Sequence, residues 1–362
     1  MNQMLNPQSD THLHNCFVLE VRVDGSSYTV TTTNDSGPGS LREAVSASDS
    51  AAFINFAFPP PGQIIQLTSG AMEISTSNIF INGSGVIIDG AGGPYSLFFV
   101  DSDSTLTITD ATLRNVYSEN SPGCIDCFGQ LTLNSVTMTG CSGNNGGAIN
   151  LEINSQLTAT NCFFGGNLAG ETGGAASSSG PVTLTDCTFE GHTAVINAGG
   201  AVWCQETLTA TNCLFSGNTV TNGVGGAVWS QRTVILTDCT FTDNSAASNR
   251  GGAVHSESTL TASSCSFSNN NAASGQGGAL YVAGNTNLVG CTLSSNSAYY
   301  GGGAIFVEGA SLTSDSMTCS DNSAVRIPLL NNDPISTSKG NTTQHNNNTP
   351  HHNATQRPLT EN

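Results

Sequence analysis

Through most of the chain, apolar residues come in short runs separated by Gly, Asn, Asp, Ser and Thr, and the runs repeat in phase. In one unit they are GGAVW (225–229), TVILT (233–237) and CTF (239–241), followed by TDNSAASNR. Each run is too short for a helix and turn residues bound all of them, so the unit predicts three short strands. Aligning the segments C-x-F-x-x-N places Cys162, Cys187, Cys213, Cys239, Cys265 and Cys291 at spacings of 25, 26, 26, 26 and 26. The same column runs back to Val136 and Ala111 and on to Met317. Two residues later stand Leu113, Met138, Phe164, Phe189, Phe215, Phe241, Phe267, Leu293 and Cys319. Three further on come Asn167, His192, Asn218, Asn244, Asn270, Asn296 and Asn322. A second motif, G-G-A-[AILV], begins at 146, 173, 199, 225, 251, 277 and 302.

A period of 26 residues holding three strands is that of a solenoid in which each strand pairs with its equivalent one coil away, at about 4.8 Å. The sequence therefore predicts an all-β fold, a single-stranded right-handed parallel β-helix with about nine regular coils. In it the columns become ladders, Phe on Phe and Cys on Cys. The asparagines are expected to take left-handed backbone conformations at one corner and to pair their amides along the axis. The glycine pairs let the chain turn tightly into the next strand. Alternation along GGAVW assigns Ile149, Ala176, Val202, Val228, Val254, Leu280 and Ile305 to the inside. The opposite parity carries the motif alanines and then Trp203, Trp229, His255, Tyr281 and Phe306, which are expected to project outward from five successive coils.

The ends differ from the body. Residues 1–27 form an N-terminal extension, with 17–23 a candidate strand, and lack a charged segment followed by an apolar one, so no signal peptide is expected. Residues 28–110 are read as the N-terminal cap and first irregular coils, with strand-like runs at 53–58, 63–67, 78–81, 86–89, 97–100 and 106–109. Within them SLREAVSASD (40–49) predicts the one short helix, with Ser40 as N-cap, Glu43 at the capping-box position, and Leu41, Ala44 and Val45 on one face. Regular repeats fill 111–325, and 326–362 is Asn/Thr/His-rich sequence expected to be disordered.

The paired G-G-A-[ILV] and F-x-x-N motifs resemble those of the chlamydial polymorphic outer membrane proteins, and VTTTNDSGPGSLREAVSAS (30–48) resembles the SLREA segment that opens many secreted bacterial β-helix proteins. Together the resemblances cover roughly residues 28–322. They imply a β-helical passenger: a non-enzymatic, adhesin-like protein, extracellular or at the cell surface or outer membrane, with a host-cell or extracellular glycan or protein as ligand. The family's C-terminal barrel has no counterpart in the sequence, so a fragment of a larger autotransporter is a further reading.

Composition and charge narrow the partners. Charged residues are 9% of the chain, against roughly 25% in an average soluble protein, and the net charge is −18 from 26 acidic and 8 basic residues. Such a chain cannot neutralise phosphates, which excludes nucleic acid and anionic lipid as expected partners. No run of 18 apolar residues predicts a membrane span.

Candidate chemistry is sparse. The six in-phase cysteines are read as buried free thiols, and Cys124-Ile-Asp-Cys127 as no metal or redox site, because on a strand its two thiols face opposite ways. A polysaccharide lyase or hydrolase on this fold is the alternative function, and it needs convergent carboxylates with a base. Between residues 116 and 323 the only Lys or Arg are Arg232 and Arg250. Arg232 is expected to pair with Glu206 one coil away, Asp186 and Asp238 to make corner turns with Asn161 and Asn212, and His192 to be structural. No catalytic residue, metal ligand or cofactor site is assigned. The column Trp203, Trp229, His255, Tyr281 and Phe306 is the candidate binding surface, since an exposed line of rings calls for a partner, or else only stacks between coils.

Overall fold

The computed structural model describes residues 25–326 other than 49, 58–60, 76 and 119–121. The candidate strand at 17–23 and the 327–362 part of the tail lie outside the described residues. Within them the chain is a parallel β-solenoid of about eleven turns, roughly 26 residues each. Three sheets of 20, 10 and 8 strands run along it. Seven strands of the ten-stranded sheet are the G-G-A-[AILV] segments, with Val202 beside Val228, then Val254, Leu280 and Ile305. The 20-stranded sheet takes two pieces from each coil, such as Val234–Thr237 and Thr240–Thr242, bent at a corner residue of positive φ, here Asp238 at 53°. The third sheet comes from the segment after the Asn column, Ser245–Ala246 in this coil, whose residues alone read as turn.

The inside is a set of ladders. Phe164, Phe189, Phe215, Phe241 and Phe267 are fully buried, with successive ring centroids 4.6–5.0 Å apart and planes within 11° of parallel. Rings in contact lie about 3.5 Å apart, so at these centroid distances they are slipped sideways, the favourable offset stack. Cys162, Cys187, Cys213, Cys239, Cys265 and Cys291 form a parallel ladder, buried and unbonded to one another.

The Asn column is buried too, and it works differently from expectation. Asn244 donates its backbone N–H to Asn270 Oδ1 at 3.1 Å and its Nδ2 to the same oxygen at 3.0 Å, while Nδ2 also reaches Phe215 O at 3.0 Å. The pattern repeats at Asn218, Asn270 and Asn296. These asparagines are not the left-handed residues; the ones just before them are, Gly217, Asp243, Asn269 and Ser295. The left-handed step turns the corner, and the next side chain is thereby directed inward, where the Asn244 amide satisfies Asn218 N and Phe215 O of the preceding coil and bonds the Asn270 amide of the following one. His192 fills the same column. Its Nδ1 accepts from Asn167 N at 3.1 Å and its Nε2 lies 3.1 Å from Phe164 O, so the neutral ring protonated on Nε2 replaces an amide.

The motif alanines are a second correction. Ala148, Ala175, Ala201, Ala227, Ala253 and Ala279 are fully buried rather than outward. Two successive N–H groups, those of Ala227 and Val228, both donate to Ala253 O. Alternation fails at such a bend, and only from Val228 does inside–outside parity hold. The glycines before each alanine are needed: Gly225 has φ 69°, and a Cβ on Gly226 would lie 2.0 Å from Gly252 O.

Cys124 and Cys141 form a disulfide, Cα–Cα 5.8 Å, which the reading of Cys124 and Cys127 as residues on one strand did not foresee. Cys124 stands in the alanine bend, accepting from both Leu97 N and Phe98 N, ahead of the strand Ile125–Cys127. Cys141 stands at the head of the Asn column, its N–H bonded to Asn167 Oδ1. The bond joins two neighbouring corners of the solenoid.

At the N-terminal end the helix Leu41–Ser46 covers the first coils with Leu41, Ala44 and Val45. Ser40 Oγ accepts from Glu43 N, but the Glu43 carboxylate reaches back to Gly39 N rather than to the cap residue itself. Arg42 ties the helix down through Asp35 at 2.9 Å and the carbonyls of Gly70 and Ala71.

The buried His192 makes the fold acid-sensitive. Burial lowers its pKa to about 4, against the pull of its two backbone hydrogen bonds. An unfolded His titrates near 6.5, so the unfolded chain binds the extra proton first. The contribution is fully present above about pH 6.5 and is lost as pH falls toward 4, by up to about 3 kcal/mol. His192→Asn restores the amide of the column, and its unfolding free energy should fall less than the parent's between pH 7 and 4.5 in urea titrations. Parallel pH profiles for the two would contradict this.

Candidate functional site

The outward side chains of the ten-stranded sheet form one column up the solenoid: Glu73, Phe99, Asp126, Asn150, Ser177, Trp203, Trp229, His255, Tyr281 and Phe306. From Asp126 to Ser177 it is polar. Asn150 Nδ2 bridges Asp126 Oδ1 at 3.1 Å and Glu152 Oε1 at 3.0 Å, and burial raises the Asp126 pKa against that hydrogen bond. Ser177 is buried beside Trp203 and shares a hydrogen bond with Thr172.

The five aromatic and imidazole rings do occupy one line, as the sequence period requires, and they stack. Trp203 and Trp229 are 5.2 Å apart at 8°, His255 and Tyr281 4.7 Å at 19°, and Tyr281 and Phe306 5.4 Å at 6°. Exposure divides them. Trp203, Trp229 and Phe306 are half-buried, whereas His255 and Tyr281 are only 3% and 1% exposed. A five-ring exposed platform is thus not what the chain builds: stacking hides ring faces, and three charged side chains close over the middle.

Those three were not singled out as part of the site. Glu257, two residues after His255, accepts from His255 Nε2 at 2.7 Å. Glu308, two residues after Phe306, accepts from the Tyr281 hydroxyl. Arg250, from the turn before the glycine pair, lies over the Tyr281 ring at 4.7 Å, bonds the hydroxyl at 2.6 Å and stands 3.7 Å from Glu308. The shared offset of Glu257 and Glu308 from the column was visible in the repeat; the inward lean of Arg250 was not. Burial, with the Glu308 hydrogen bond, pushes the Tyr281 pKa above its ordinary range. His255 Nδ1 is buried without a hydrogen-bond partner.

Around this cluster the other expected residues are structural. Arg232 pairs with Glu206 at 3.0 Å on the surface. Asn161, Asp186, Asn212 and Asp238 all take positive φ at one corner, with Asn212 Nδ2 bonded to Asp186 Oδ1. Among the described residues no group of three or more His, Cys, Asp or Glu is placed to hold a metal, and no helix is long and apolar enough to cross a membrane.

A family profile described as "Right handed beta helix region" matches residues 62–259 and 169–323. No curated protein matches the chain.

The Glu257 carboxyl sits below its ordinary pKa chiefly through the hydrogen bond from His255, against partial burial. His255→Phe keeps a ring in the stack and removes that donor. The carboxyl titration followed by NMR should move up in pH, and an unmoved midpoint would show that His255 does not hold it.

Proposed function

This chain belongs to the right-handed β-helix family, and on that scaffold we propose a non-enzymatic, adhesin-like protein, secreted or displayed at the cell surface, that binds an extracellular glycan or protein ligand. The observation that carries the reading is the half-exposed Trp203–Trp229 stack on the flat outer face of the ten-stranded sheet. Large rigid rings on an immobile backbone make contact area at little entropic cost, which suits them as anchors. The neighbouring polar groups favour binding over turnover. His255 and the Tyr281 hydroxyl are covered and hydrogen-bonded to carboxylates, so neither is presented to a substrate as a free acid or base. The β-helix fold itself is common to enzymes and non-enzymes and does not choose between them.

The test is a glycan-array screen of the purified chain beside a reducing-sugar release assay on the same polysaccharides. Binding without release is expected. Trp203→Ala with Trp229→Ala should weaken it at least about tenfold, since aromatic anchors are each worth about 2 kcal/mol or more, with the circular dichroism unchanged. Release of sugars, or binding indifferent to both substitutions, would contradict the proposal.

A further inference from the structure

Every charge beside the tryptophan pair is already engaged. Arg232 holds Glu206, Arg250 holds Glu308 and the Tyr281 hydroxyl, and Glu257 holds His255. The two arginines are the only Lys or Arg between residues 116 and 323, and the chain carries −18 overall. An acidic polysaccharide approaching this face meets a repulsive field and no unpaired cation. To gain an arginine it must displace a carboxylate, leaving that carboxylate without its partner. A polycation is drawn by the field, but Glu206 and Glu308 are already neutralised by Arg232 and Arg250, so it gains a charge partner at either only by displacing an arginine.

An uncharged sugar chain meets neither obstacle. A carboxylate offers about four lone-pair sites, so Glu206 and Glu257 can accept from hydroxyls while keeping their present partners. Gln205 and Gln231 stand at the position of Glu257 in the two preceding coils and supply amides that both donate and accept. The slipped indoles leave strips of ring face for the C–H face of a pyranose, and the 5.2 Å ring spacing offers successive sugar units equivalent surroundings. Resting on the binding reading above, we infer that the ligand of this face is a neutral polysaccharide, held along Trp203 and Trp229 by stacking and by hydroxyl hydrogen bonds to Gln205, Gln231 and Glu257, and that acidic polysaccharides are excluded.

The experiment is equilibrium binding of the full chain to three immobilised probes of equal length: a neutral gluco-oligosaccharide, an oligogalacturonate and a glucosamine oligomer. Each is measured at about 0.1 M and about 1 M NaCl, where the screening length falls from about 10 to about 3 Å. Only the neutral probe should bind, with affinity changing less than about twofold across the salt range because no net ion pair forms, and with the loss in the double tryptophan variant described above. An acidic or cationic probe that binds, weakens with salt and is lost in that variant overturns the ligand class while leaving the binding face standing. Binding that survives the double variant overturns both, and no binding by any probe overturns the ligand class.

Discussion

The structure depends on each coil presenting to the next the same backbone groups in the same place. A parallel strand pair satisfies N–H and C=O only where the partner strand continues, and a coil has three corners at which it does not. The chain resolves each corner by repetition. At one, a left-handed Gly, Asp, Asn or Ser turns the backbone, and the following Asn carries its amide inward to close the bonds of two coils at once. At another, glycine pairs permit an approach that a Cβ would block. A slip of one residue would put these groups out of reach and the phenylalanines outside.

The outer face inherits the same spacing, and that decides what it can do. Side chains one coil apart are close enough to stack, so identical outward rings cover one another before they meet any ligand. His255 and Tyr281 are consumed this way, with Arg250, Glu257 and Glu308 closing over them. At Trp203 and Trp229, where the rim is set by Gln205 and Gln231 rather than by a tied carboxylate, the stack stays half open. Rigidity and the proposed binding face are thus coupled. The ladders that fix the core also fix the distance between the two indoles.

Much of this was legible in the residues. The period located the coil, the Phe and Cys columns located the inside, and Ser40 with Leu41, Ala44 and Val45 located the capping helix. What escaped was local. Simple alternation put the motif alanines outside, because no residue pattern announces two N–H groups sharing one carbonyl. The asparagines were given the left-handed conformation that the residues before them adopt. Cys141 lies 26 residues before Asn167 and so stood in the Asn column all along. Its partner Cys124 occupies the alanine bend, and that link needed the two corners in space. The covering of His255 and Tyr281 depended on side-chain directions that the repeat does not encode.

The dependence on register is tested most directly by removing one whole coil. Deleting residues 226–251 takes out 26 residues and joins Gly225 to Gly252, so that Asn218 meets Asn270, Phe215 meets Phe267 and every ladder closes again. The shortened chain should unfold cooperatively with a melting midpoint within about 5 °C of the parent, since a solenoid's stability is a sum over neighbouring repeats. Deleting only 226–238 should leave it unfolded. If the whole-coil deletion were as damaging as the half-coil deletion, in-register repetition would not be what holds this protein together.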